Sequence, residues 1–421
     1  MKAGIKKFPL TAAEVSLYGF FISTTFSISL SQILLGLALL FSIISIIFRK
    51  EKAERPRFGF IGLFILLFIG WSILSALLSS TPWISLLILK EEWLFLMIPV
   101  AACLVRSHQK INICLRLFAL AAIVVSLYAF WQHFSGVDWY HQTSLAPAPS
   151  SGYRVSGTFA HRLTFGNYYA IASILLLGIA PYAKNRESKI IFYTAFFATT
   201  VATVFTYSRG PILAMAFGII FFFALEGRRY IKILIPILAG IVIIIMIASP
   251  DVFSRYLSSA EREWKGEYAG SRQSIWRAGW RMALDNPLTG VGPGHFKEEY
   301  AAYRDKGTDR IYGHAHNDFI NVAAYAGFPA AVFYLGIFVS IIIRIIKIRH
   351  RCTGDRLAYG MTTGAMLATI VFLITSLYEA TFADEEIRLL LMAIWGLFLA
   401  AEYLVKLRLP ATENIEKGLD K

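Results

Sequence analysis

The sequence predicts an all-α polytopic integral membrane protein of about twelve transmembrane helices, with one large helical loop on the non-cytoplasmic side. Three observations predict it. Of 421 residues, 57% are hydrophobic and only 16% charged, whereas a soluble domain carries roughly 25% charge. Apolar runs close to the ~20 residues needed to cross a bilayer recur along the chain. Alternate short connections between those runs are basic. The mean hydropathy of +0.58 agrees, and 33 phenylalanines are more than a soluble core of this size would hide.

The apolar runs fall near 11–28, 30–48, 59–78, 84–104, 113–134, 162–182, 190–207, 211–226, 231–249, 318–343, 357–378 and 388–405. The stretch 11–48 is too long for one crossing, and its polar centre Ser27-Ile28-Ser29 marks a hairpin. Tyr207-Ser208-Arg209-Gly210-Pro211 likewise separates two spans, because Gly and Pro interrupt a helix. The basic start Met1–Lys7 resembles a signal sequence, but without a convincing cleavage site it reads as the lead into an uncleaved first span.

With the N-terminus inside, the cytoplasmic connections contain Lys2, Lys6 and Lys7, then Arg49 to Arg57, Arg106 to Lys110, Lys184 to Lys189, Arg228 to Lys232, and Arg344 to Arg356. The opposite short loops near 79–83 and 379–387 have no Lys or Arg. This is the positive-inside pattern, and it accounts for much of the net charge of +14 without invoking nucleic acid. The expected layout is spans one to nine in 1–249, an outer helical loop at 250–317, spans ten to twelve in 318–405 and a cytoplasmic tail at 406–421. The cysteines, Cys103, Cys114 and Cys352, have neither disulfide nor metal-knuckle spacing.

Within the outer loop, residues 271–285 put Ile275, Trp276, Gly279, Trp280 and Ala283 at helical spacing, and Asn286-Pro287 stops that helix. Gly290, Gly292 and Gly294 around Pro293 predict a compact turn, and 296–304 resumes helical periodicity. The loop reads as a helical cap on the membrane face.

Several residues there suit chemistry. Arg209, beside a helix start carrying Pro211, suits an anion such as phosphate, and equally suits snorkelling to headgroups. Arg272, Arg277 and Arg281 offer phosphate-binding forks or solvated charges. His314-Ala315-His316-Asn317-Asp318 brings candidate proton acceptors to the start of span ten, where Asn317 or Asp318 also suits a helix cap or an orienting partner for the imidazole. The His-x-His spacing is compatible with a metal, although no nearby cysteine supports one. His161 and Arg162 stand at the mouth of span six. Glu379 and Asp384-Glu385-Glu386 read either as partners of the loop arginines or as a solvated acidic loop. A transporter would place such charges near mid-membrane; here they cluster at the outer rim.

Tyr207-Ser208-Arg209-Gly210, the segment GSRQSIWRAGWRMALDNPLTGVGPGHF at 270–296 and HAHNDFI at 314–320, in that order, resemble the O-antigen ligase and polymerase superfamily. The resemblance covers roughly 150–400. It implies a metal-independent, cofactor-free GT-C-type glycosyltransferase, a single-chain catalytic unit in the bacterial inner membrane with its site facing the periplasm. Its donor would be a glycan on undecaprenyl diphosphate. The acceptor would be lipid A–core for a ligase, or a second lipid-linked glycan for a polymerase. The ligase is favoured because one outer loop dominates. The resemblance assigns the diphosphate to Arg209 and Arg272 and the essential histidine to His316, with Arg277 a looser match and His314 a neighbour without an assigned role; Asn317, Asp318, His161 and Arg162 are supporting candidates by their positions in the sequence.

Overall fold

The computed structural model describes residues 2–48, 56–149, 151–227, 261 and 271–419. The expected ninth span at 231–249, the outer-loop residues 250–260 and 262–270, and the basic stretches 49–55 and 228–232 lie outside the described residues.

Nine helices among the described residues are long and apolar enough to cross a membrane. They are α2 (Ile28–Phe48), α3 (Gly59–Leu77), α6 (His108–Ser135), α7 (Arg162–Ile179), α8 (Arg186–Phe205), α9 (Arg209–Glu226), α12 (Asp318–Arg349), α13 (Arg356–Ser376) and α14 (Glu385–Leu419). The first helix, α1 (Lys2–Ser23), pairs with α2 as the predicted hairpin, and its apolar part, Phe8–Ser23, is short. The protein is therefore a mostly helical, multi-span membrane protein.

The fourth expected span departs from the sequence reading. Residues 84–104 do not form one helix: α4 (Pro82–Ile88) and α5 (Met97–Leu104) flank a 3-10 segment, Leu89–Leu96. The reason is charge. Glu91 and Glu92 sit in this segment and meet the buried Arg388, whose guanidinium lies 3.1 Å from each carboxylate. Carboxylates in apolar surroundings need such partners, and the tighter winding here accompanies that pairing.

α7 is the central element. Nearly every residue along it is buried, and it packs against α8, α9 and α13. Ser173 and Thr200 tie α7 to α8 through a 2.7 Å hydroxyl pair. The loop after α6 is compact. Gln132 of α6 donates to Gly157 O at 2.8 Å and accepts from Gly157 N–H at 2.8 Å, which pins the approach to α7.

The loop expected to be outermost contributes, in its described part, α10 (Arg272–Asp285) and α11 (Phe296–Tyr303). Ser271 caps α10 by accepting from Ser274 N–H, and Ile275, Ala278, Met282, Phe296 and Tyr300 form a second small core. Trp280 remains 48% exposed, as an interfacial helix would allow. The loop docks where α12 is broken. Gly327 has φ 81° and ψ 172° and is followed by Pro329, so the helix opens there. The freed carbonyls of Ala324 and Tyr325 accept from Val291 and Gly292 N–H, and Phe328 N–H donates to Pro287 O, each at 2.9 Å. A break inside a membrane helix is tolerable because neighbouring chain satisfies it.

A Cβ at Gly327 would stand 2.2 Å from Leu288 O, and its φ/ψ belongs to a region essentially reserved for glycine. Gly327→Ala should therefore destabilise the protein by ~1–3 kcal/mol and speed proteolysis of the outer loop. Gly36→Ala, where nothing lies within 4 Å of the new methyl, should not. Thermal melts and limited proteolysis in detergent compare the two; equal behaviour contradicts the docking role.

Candidate functional site

The segment between α13 and α14, residues 377–384, lies against the start of α12 and organises the site. Asp318, buried at the first turn of α12, accepts from Thr381 Oγ1 at 3.0 Å and from Phe382 N–H at 3.1 Å. Asn317 caps α12 by accepting from Ile320 N–H at 3.1 Å, and its Nδ2 donates to Leu377 O at 3.0 Å. The expected capping role thus belongs to Asn317. Neither residue orients the imidazole; together they hold the 377–382 segment in place.

That segment presents Glu379. Its side chain is only 8% exposed, and Oε1 accepts from His316 Nδ1–H at 2.6 Å. This overturns the reading of 379–386 as a solvated acidic loop: Glu379 is buried because the histidine supplies the partner a carboxylate needs there. Burial works to raise its pKa, but the hydrogen bond from His316 and the nearby imidazoles prevail and hold it below the ordinary value of 4.5. Asp384 shows the reverse balance. Burial, with Glu386, Glu379 and Asp318 nearby, pushes it up to about 7 despite the hydrogen bond from Thr164.

His316 sits on a backbone with φ +49°, uncommon for a side chain other than Gly, Asn or Asp. Trp276 of α10 donates to its carbonyl at 3.3 Å, so the outer loop braces the histidine directly. With Nδ1–H committed to Glu379, a neutral imidazole carries its lone pair on Nε2. His314 stacks edge-on, ring centres 4.3 Å apart, and its Nδ1 accepts from His316 N–H at 3.3 Å. Burial, then the neighbouring His316, hold His314 below the ordinary value of 6.5, with Glu379 opposing.

The arginines divide into two groups. Arg272, at the first turn of α10, places Nη2 4.0 Å from Glu379 Oε2. Arg277 instead joins Arg281 on Asp305, at 2.6 and 2.9 Å, an exposed cluster that ties α10 to the end of α11. Arg209 begins α9, and the next residue, Gly210, lies so close to Tyr378 that a Cβ would stand 2.1 Å from its ring. Tyr378 in turn interacts with Arg272 and Glu379, and its hydroxyl donates to the buried Asn167 of α7 at 3.5 Å. The Arg209 helix start and the His316–Glu379–Arg272 group therefore meet across one aromatic ring. His161 and Arg162 are exposed at the start of α7; Arg162 and Arg154 are near enough to interact, as are His161 and Glu386.

His314, His316 and Glu379 also form a three-ligand set within 4.8 Å, so metal binding is chemically open to these residue types. As arranged, His316 Nδ1 is committed to Glu379 Oε1 and His314 Nδ1 to the His316 N–H. The 2.6 Å Nδ1···Oε1 separation is shorter than the roughly 3.3 Å between neighbouring ligands on tetrahedral zinc. A metal held by both His316 Nδ1 and Glu379 Oε1 would require this hydrogen bond to break, whereas one held through His316 Nε2 would not.

These features define a class: a multi-span membrane protein with a histidine–carboxylate pair and arginines converging at one end of its bundle. Residues 194–335, about a third of the chain, match the family model described as O-antigen ligase. That segment is similar to the O-antigen ligase family. The match includes Arg209, α10 and His314 to Asp318; Glu379 and Tyr378 lie beyond it. No curated protein matches the chain.

Both lowered pKa values predict acid sensitivity. The contribution of His314 is fully present above 6.5 and is lost as pH falls below it; that of Glu379 is present above 4.5 and is lost as pH falls through its lowered value. His314→Gln should therefore flatten the fall in melting temperature between about pH 7 and 5. An unchanged pH slope would count against the buried, uncharged state of His314.

Proposed function

We propose that the protein acts as a GT-C-type O-antigen ligase of the bacterial inner membrane, with this site facing the periplasm. It transfers a glycan from undecaprenyl diphosphate to a sugar hydroxyl of lipid A–core. The single observation that carries the reading is the buried His316–Glu379 pair with Arg272 beside it. Such a pair is what a hydroxyl nucleophile needs, and fixed arginines are what a diphosphate leaving group needs.

In this mechanism the acceptor hydroxyl approaches Nε2 of His316 and attacks the anomeric carbon of the donor. The new C–O bond forms as the bond from that carbon to the diphosphate oxygen breaks. The hydroxyl proton passes to Nε2, and the electron pair leaves on the diphosphate. One displacement inverts the anomeric centre. Glu379 fixes the tautomer and stabilises the imidazolium as it forms, the role a buried carboxylate has in a catalytic triad. Arg209 and Arg272 stabilise the departing diphosphate where water is scarce. The α9 N-terminus supports Arg209, because amide groups there attract phosphate. Asn317 and Asp318 act as positioning residues through the 377–382 segment, His314 buttresses His316, and Arg277 acts through its link to Asp305. His161 and Arg162 add positive character at the neighbouring mouth of α7. With arginines facing the charge that develops, the reaction proceeds without a metal or other cofactor.

His316→Ala should lower transfer by ~10²-fold or more while membrane insertion and donor binding persist; normal transfer at normal protein level would remove it as the base. Arg209→Ala should weaken donor retention, and unchanged affinity and turnover would remove its phosphate role. The assay is purified protein, undecaprenyl-diphosphate-linked glycan and EDTA, with and without lipid A–core. Transfer that appears only with lipid A–core supports a metal-independent ligase. A ladder of lengthening lipid-linked glycan without it identifies a polymerase, and activity abolished by EDTA and restored by a divalent ion assigns a metal to the histidine–carboxylate cluster.

A further inference from the structure

At the end of the bundle remote from His316, α3, α12 and α14 enclose a cavity of about 600 Å³. Arg344 on its wall is 17 residues beyond the break at Gly327 in α12, roughly 26 Å of helix rise, so this cavity is separate from the site above. Its character changes along one helix face. Ile343, Lys347 and Arg351 follow at four-residue spacing and share one side of the chain. Ile343, Val339 and Phe60 are lipid-accessible apolar groups, 46, 46 and 72% exposed, and they line the cavity with Lys347 and Arg351. A groove apolar at one end and cationic at the other is the complement of an amphiphile.

The charge balance favours an anionic one. Arg344 is already committed: it donates to Glu402 at 2.7 Å, to Phe58 O at 2.9 Å and to Arg57 O at 2.6 Å. Glu402 also receives Lys406 at 2.7 Å. One carboxylate therefore faces two cations, while Lys347 and Arg351 have no carboxylate partner among the described residues. Among the described residues, four cations against one carboxylate leave a surplus of positive charge at the rim.

We infer that this cavity binds an anionic phospholipid. Lys347 and Arg351 take the headgroup phosphate, with Arg344 locked behind them, and an acyl chain lies over Phe60 and Ile343. Basic pockets between spans are suited to such headgroups, because each lysine or arginine near the surface attracts them. A soluble anion would use the cations and leave the apolar half of the cavity in contact with water, which is why a lipid is the better occupant.

The test is native mass spectrometry of the full-length protein, delipidated and then exchanged against vesicles of phosphatidylglycerol or phosphatidylcholine. The wild type should retain phosphatidylglycerol through detergent washing and should not retain phosphatidylcholine. The Lys347→Ala/Arg351→Ala double variant should lose that retention about 10-fold or more, and Lys347→Arg should keep it. A melting temperature and monodispersity equal to the wild type's show that the double variant is folded. Equal retention of phosphatidylcholine, undiminished phosphatidylglycerol on a folded double variant, or displacement of the lipid by millimolar inorganic phosphate would overturn the assignment.

Discussion

A carboxylate taken out of water must find a partner, and in this protein that requirement joins three segments far apart in the chain. Glu379 stands in the segment after α13, His316 at the threshold of α12, and Arg272 at the first turn of α10. Removing any partner from such a group leaves a buried charge uncompensated, a cost of several kcal/mol in general. The hydrogen bond between Glu379 and His316 therefore serves packing and, in the proposed reaction, chemistry. It closes one end of the bundle, and it leaves one imidazole nitrogen with a lone pair.

The surrounding fold keeps that arrangement rigid. Asp318 and Asn317 fasten the segment carrying Glu379 to the helix that follows His316. Trp276 fastens the outer loop to the His316 backbone, and the opened turn at Gly327 receives the loop's other edge. The lever is the same in each case: backbone groups freed by an irregular turn are satisfied by a neighbouring segment, as the bilayer requires. Beneath this layer, Arg388 with Glu91 and Glu92 repeats the principle in a broken helix.

Much of this was legible in the sequence where the signal is local. The hairpin after Ser23, the break before Arg209, the helix stopped at Asn286-Pro287 and the cap at Asn317 all follow from residues within a turn of the feature they set. The 84–104 break was not legible, because average hydropathy absorbs Glu91 and Glu92 and their partner Arg388 is almost 300 positions away. Glu379 was named as a partner for the loop arginines, and Arg272 lies beside it, but its pairing with His316 was missed for the same reason. Its local neighbours are acidic and read as solvated, whereas its partner lies 63 residues earlier. A lone carboxylate within a few residues of an apolar span's end was the available clue. Gly327-Phe328-Pro329 inside span ten was likewise a readable helix break. The arginines were legible as candidates but not as groups: only coordinates separate Arg272, beside Glu379, from Arg277, held by Asp305.

The account depends most on Glu379 acting through His316, and Glu379→Gln tests that directly because it keeps size and removes charge. The measurement is the turnover of glycan transfer alongside retention of the lipid-linked donor, at matched protein level and melting temperature. Turnover lower by roughly 10²-fold with donor retention unchanged is the predicted result, as expected when a histidine loses its orienting carboxylate. Wild-type turnover in the folded variant would contradict the account, since the buried pair would then be structural alone.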